Sequence, residues 1–135
     1  MLHNIEIKIE KIERYLEILE DFKVDCKKRF SQDVMFEGAL LHYLYLVSDS
    51  CISLAEMMIK YKSYRTTQSY YESIIILGEK KVLPRKFAYE FAKIASFRNF
   101  LAHDYEGVDY LVICDEVLDK LEDIKKYLIF IKKAI

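Results

Sequence analysis

The sequence predicts an all-α protein, an antiparallel four-helix bundle with one additional short helix, in one domain spanning residues 1–135. Three observations carry that expectation. Glycine and proline number only 3 and 1, too few for the turns that a sandwich or barrel needs every ~8–12 residues. Apolar residues recur at intervals of three and four along most of the chain, the period of a helix face rather than a strand. With 53% hydrophobic and 32% charged residues the balance is that of a globular chain. Its length suffices to bury roughly two-thirds of the unfolded surface without disulfide or metal.

The first helix shows one stripe: Ile5, Ile9, Ile12, Leu16 and Leu19, with Glu and Lys filling the other face. A polar break follows at Lys27-Lys28-Arg29, and Ser31 is the expected N-cap of the next helix. That second helix carries two adjacent stripes, Leu40, Leu44, Val47, Cys51, Leu54, Met58 beside Leu41, Tyr45, Ser48, Ile52, Ala55, Ile59. A double-width apolar face contacts more than one neighbour, which makes this the central helix. Residues 61–68 are polar and read as a connection. Ser69-Tyr70-Tyr71-Glu72 has the form of a capping box opening a short helix through Ile74–Leu77, which weakens near Gly78. Pro84 suits the first turn of another helix, where its missing N–H costs nothing. The last helix reads from Asp109, its expected N-cap, through Cys114, Val117, Leu121, Ile124, Leu128, Ile131 and Ile135. Long helices joined by short loops pack as antiparallel neighbours.

Composition also excludes function classes. Lys and Arg total 21 against 22 Asp and Glu, a net charge of -1, so nucleic acid would have to be held by a local basic patch. No run of 18 or more apolar residues occurs, and no membrane span or membrane partner is expected. The opening Met1-Leu2-His3-Asn4-Ile5-Glu6 is too polar for a signal peptide. Cys26, Cys51 and Cys114 are far apart, which reads as reduced core thiols in a cytoplasmic protein. His3 and His42 have no ligand spacing with each other or with the cysteines, so neither a metal site nor a cofactor is expected. Without a glycine-rich phosphate loop the chain should not itself transfer nucleotides or hydrolyse ATP.

The helix after Pro84 carries the chemistry. Its stripe runs Phe87, Phe91, Ile94, Arg98, Leu101, so an arginine stands where an apolar residue belongs. A guanidinium there either meets a carboxylate inside the fold or faces a cleft that holds an anion. The neighbouring stripe, Ala88, Ala92, Ala95, Asn99, Ala102, is nearly all small, fit for a close helix contact within the chain or for a dimer seam. Asn99, His103, Asp104 and Tyr105 follow Arg98 closely. On a regular helix Arg98 and His103 stand roughly 140° apart, so either the helix loosens before His103 or a second chain completes the site. Arginine offers a permanent cation shaped for phosphate, and histidine a proton carrier near neutrality. With Asn99 as an uncharged donor, this set suits metal-free RNA cleavage: a base takes the 2′-OH proton, a cation steadies the phosphorane, and an acid protonates the leaving oxygen.

The string Arg98-Asn99-Phe100-Leu101-Ala102-His103-Asp104-Tyr105 resembles the R-N-x-x-x-H-x-Y signature of HEPN domains of the HepT-like toxin family. Ser69-Tyr70, Leu83-Pro84, Phe97 and Val108-Asp109 are similar to that family as well, so the resemblance covers roughly residues 35 to 130. It implies a homodimeric, metal-independent endoribonuclease toxin, neutralised by an MNT-type nucleotidyltransferase antitoxin that transfers AMP to a tyrosine. Carried onto this chain, Arg98 and His103 are catalytic, Asn99 orients the site, and Tyr105 is the AMPylated residue. Added phosphate there would compete with RNA for Arg98. The chain departs from the family pattern at Ala102 and at Glu106-Gly107, which bears on substrate preference and partner docking. The other function class is a non-catalytic module that binds a nucleotide or the nucleotidyltransferase; it would tolerate loss of His103, and the enzyme would not.

Lys80, Lys81, Arg85, Lys86 and Lys93 form a basic stretch ahead of Arg98, broken only by Glu90. It could guide an RNA backbone or simply be a solvated face. Lys125, Lys126, Lys132 and Lys133 suit the C-terminal helix dipole. Tyr43, Tyr45, Tyr70 and Tyr71 lie in helices, where packing competes with base stacking.

Overall fold

Ile5, Ile9, Ile12, Leu16 and Leu19 all turn inward on α1 (Leu2–Lys23). The computed structural model describes residues 1–103 and 108–135, and every regular element among them is helical. A one-turn helix, α2 (Cys26–Phe30), follows α1 where the sequence suggests a break at Lys27–Arg29. The N-cap of α3 (Val34–Tyr61) is Asp33 and not Ser31. Its carboxylate accepts from the Met35 and Phe36 amides at 3.0 and 3.1 Å, two bonds that a hydroxyl already inside the preceding turn cannot supply.

α3 is the central helix, as its double stripe predicts. It is also long and apolar enough to cross a membrane by length and composition, yet 56% of that window is buried inside the bundle. α1 runs antiparallel to α3, with Tyr15 against Tyr43 and Phe22 against Phe36. Then come α4 (Tyr70–Glu79), α5 (Arg85–Phe91), α6 (Ile94–His103) and α7 (Leu121–Ala134). α5 runs antiparallel to α7, with Phe87 on Phe130 and Phe91 on Tyr127. Glu13 with Lys132 and Glu20 with Lys125 set α1 antiparallel to α7. The Tyr127 hydroxyl, fully buried, donates to the Cys51 carbonyl at 2.8 Å and so satisfies itself at the centre of the bundle.

Four further details depart from the sequence reading. Ser69 does cap α4, accepting from the Glu72 amide at 3.1 Å, but Glu72 returns its bond to the Gln68 amide and to Arg65. Pro84 is the N-cap of α5 rather than its first residue. The single helix expected after Pro84 is two, broken at Ala92 and Lys93, where hydrogen bonds shorten to the i→i+3 pattern. The last helix opens with a π-helical stretch, Val112–Val117, then a 3₁₀ turn, Leu118–Lys120, before α7. Asp109 is the expected cap there, its carboxylate accepting from the Leu111 amide at 2.9 Å.

The cysteine expectation is overturned. Cys26 and Cys114 form a disulfide, their Cα atoms 5.7 Å apart across 88 residues of sequence, and only Cys51 is a free buried thiol. Folding brings α2 against the π-helical stretch, a proximity that spacing along the chain cannot display.

Candidate active site

Arg98 sits on the face of α6 that packs against α3. Its Nε donates to Asp49 Oδ1 at 3.0 Å, Nη1 to Asn99 Oδ1 at 3.2 Å, and Nη2 to the Tyr45 hydroxyl at 3.4 Å. The guanidinium also lies over two rings, 5.0 Å from the Tyr70 centroid and 5.4 Å from that of Tyr45. Its side chain is 15% exposed. Both readings of the arginine therefore meet: a carboxylate holds it, and part of it still faces outward.

Burial pulls the Arg98 pKa down, but the hydrogen bond and charge of Asp49, with the Tyr45 and Tyr70 oxygens, outweigh it and raise the pKa overall. Two turns further along α3, Glu56 is pushed up by burial and by Asp49. Of the five N–H donors of a guanidinium, three are engaged among the described residues, with Asp49, Asn99 and Tyr45. The remainder is what a phosphate would meet, with the plane already fixed.

Nothing in the sequence alone marks Asp49, Tyr45 and Tyr70 as part of a site. The available signal was weak: Ser48-Asp49-Ser50 is a polar run inside an otherwise apolar helix, and Tyr45 lies one turn before Asp49 on the same face.

His103 is exposed in the last turn of α6, and Asn99 is exposed one turn before it. α6 stays helical through His103, so the helix does not loosen to bring His103 beside Arg98. Tyr105 lies outside the described residues. The small-residue stripe is split: Ala88, Ala92 and Ala95 are buried within the chain, whereas Asn99 and Ala102 face outward.

The basic stretch does not gather around Arg98. Tyr70 opens α4 over Arg98, and Lys80 and Lys81 follow the other end of that helix, about 15 Å along its axis. Arg85 and Lys86 begin α5, across the break at Ala92 and Lys93 from Arg98. Lys80 stands over the Tyr64 ring at 5.4 Å, and Lys93 pairs with Glu90 at 3.0 Å. Lys81 and Arg85 line a groove of about 740 Å³ with Phe130 and Lys133. Among the described residues no group of three His, Cys, Asp or Glu side chains is placed to hold a metal ion.

A family model for ribonuclease HepT-like proteins matches residues 12–131. The chain belongs to the HepT-like ribonuclease family. Among HepT relatives, the mRNA nuclease HepT of Shewanella oneidensis is 22% identical over 125 residues, 93% of each chain. The tRNA nuclease HepT of Aphanizomenon flos-aquae is 27% identical over 109 residues, 78% of this chain and 71% of the relative. The HepT-like fold matches the structure of a tri-AMPylated Shewanella oneidensis HEPN toxin in complex with MNT antitoxin, with a TM-score of 0.84 at 24% identity over 96% of each chain.

Proposed function

We propose that this chain is the toxin of a HEPN/MNT toxin–antitoxin pair, a metal-independent endoribonuclease that works as a homodimer in the cytoplasm and is silenced by AMP transfer to Tyr105. The observation that carries the reading is the Arg98 guanidinium, held edge-on by Asp49 and Asn99 and flanked by two tyrosine rings, with donors left for a phosphate. Membership of a ribonuclease family supports the chemistry, and the HEPN toxin in complex with MNT antitoxin supports the partner.

In this reading Arg98 stabilises the charge on the phosphorane, His103 carries a proton, and Asn99 keeps the guanidinium in plane. The divergence of Arg98 and His103 around α6 favours a site completed by a second copy. So does the exposure of Phe100 within the motif and of Leu111 and Val112 beyond it, at 42%, 45% and 42%. Lys81 and Arg85 would then touch RNA well away from the scissile bond. Lys80, Lys86 and Lys93 would add only diffuse attraction. AMP on Tyr105 places an anion two residues beyond His103, where it competes with RNA for Arg98. Action on cellular RNA places the protein in a compartment whose thiol pool opposes the Cys26–Cys114 bond.

The test is RNA cleavage by purified protein in EDTA, beside Arg98→Ala and His103→Ala, with light scattering to read the dimer. Cleavage should survive EDTA and fall by about 100-fold or more in each variant. A folded, unmodified wild-type protein that cuts no RNA would leave only a partner-binding module.

A further inference from the structure

His42, Tyr45 and Asp49 follow one another at intervals of three and four on α3, so they share one face. Tyr45 and Asp49 are the α3 side chains that hold Arg98. His42 is the next member of that row, one turn nearer the start of α3. It is exposed, and among the described residues it has one aromatic contact, edge-on to Tyr43, and no hydrogen bond.

α3 and α6 are antiparallel, so this turn of α3 lies beside the end of α6 that carries Ala102 and His103. A hollow of about 220 Å³ separates the two helices there, lined by Gly38, Leu41, His42 and Tyr45 on one side and Leu101 and Ala102 on the other. Leu41 and Leu101 are buried and give the hollow an apolar floor, while His42 and Ala102 stand at its exposed rim. Tyr45, which lines the hollow, also accepts from Arg98 Nη2 at 3.4 Å. An apolar floor with an imidazole and a phenol at the edge is a seat for a planar, partly polar group the size of a nucleobase.

Metal-free RNA cleavage needs one group to take a proton and another to give one. His103 points away from Arg98 around α6, whereas His42 stands on the face of α3 whose Tyr45 and Asp49 hold Arg98. We infer that His42 is the general acid of the reaction and that the hollow seats the leaving nucleoside. This rests on the ribonuclease reading above. The 2′-oxygen attacks phosphorus and gives up its proton to a base, and a 2′,3′-cyclic phosphate forms. The P–O5′ bond breaks, and the departing 5′-oxygen takes the proton of the His42 imidazolium. The base then releases its proton to water and the imidazole takes one up, so protons balance over the cycle.

A general acid is dispensable when the leaving group needs no proton, which supplies the test. His42→Ala is compared with wild type and Arg98→Ala on two substrates, an RNA oligonucleotide and a nucleoside 3′-(p-nitrophenyl phosphate), whose phenolate leaves unaided. His42→Ala should lose about 100-fold or more on RNA yet stay within a few-fold of wild type on the activated ester. Arg98→Ala should lose activity on both. Undiminished RNA cleavage by His42→Ala, or equal loss on both substrates, would overturn the assignment while leaving the ribonuclease reading intact. Wild-type protein inactive on both substrates would overturn that reading first. Circular dichroism of the variant guards against misfolding, and His42→Gln, which keeps size and polarity without a titrating ring, should behave as His42→Ala does.

Discussion

Arg98 has its Nε hydrogen on Asp49 and its guanidinium carbon 5.0 and 5.4 Å from two tyrosine rings, so the cation is held from several sides. Removing Asp49 leaves the cation in place and unaimed. Asp49→Ala should lower kcat for RNA by about 100-fold, the scale of a misplacement near 1 Å. Asp49→Asn, which keeps an oxygen for Nε, should lose less. Because Asp49 is 40% exposed, the fold should survive both changes; cleavage by Asp49→Ala at the wild-type rate would show that Arg98 aims itself. At this scale the sequence was half legible. Arg98 betrayed itself by occupying a stripe of apolar residues. Asp49, Tyr45 and Tyr70 did not, because the pairing of positions 49 residues apart is a product of how α3 and α6 cross, and nothing local to α3 distinguishes a carboxylate that aims an arginine from one in water.

The elements repeat that contrast between local and tertiary causes. Stripes that depend only on near neighbours were legible, all of α1 and the double face of α3, and so were Ser69 and Asp109 as caps, though the cap of α3 is Asp33 where Ser31 was expected. The break between α5 and α6 was not, since Ala92 and Lys93 are good helix formers and carry no local signal. The π-helical stretch was hidden for a related reason. Its wider turn inserts an extra residue, so the residues that become fully buried are Ile113 and Leu118 rather than Cys114 and Val117. Gly78 looked like a weak point of α4 and is instead a contact. A Cβ there would stand 2.6 Å from the Ala88 Cβ, so Gly is what lets α4 and α5 touch. Gly78→Ala should destabilise the protein by about 1–3 kcal/mol in urea unfolding, despite alanine's better helix propensity. Ala88→Gly in the same chain should recover part of the loss; no recovery would place the strain elsewhere.

The whole molecule is a bundle whose directions were predictable from short connections and whose covalent cross-link was not. Cys26 and Cys114 bracket α3 through α6 and the motif. Closing a loop of that length restricts the unfolded chain, and removal of such a bond typically costs about 2–4 kcal/mol. A dithiol reductant should therefore lower the urea midpoint by about 1–2 M at the usual slope for a small domain. A midpoint that ignores the reductant would show that the bond adds nothing to stability. There is also a topological consequence. With the bond formed, the chain is a ring bearing two tails, α1 and α7, that are laced to each other by ion pairs. A peptide bond hydrolysed anywhere inside the ring releases no fragment, so a nicked chain would gain only one water and keep both pieces of its bundle and motif together until a thiol arrived to let it come apart.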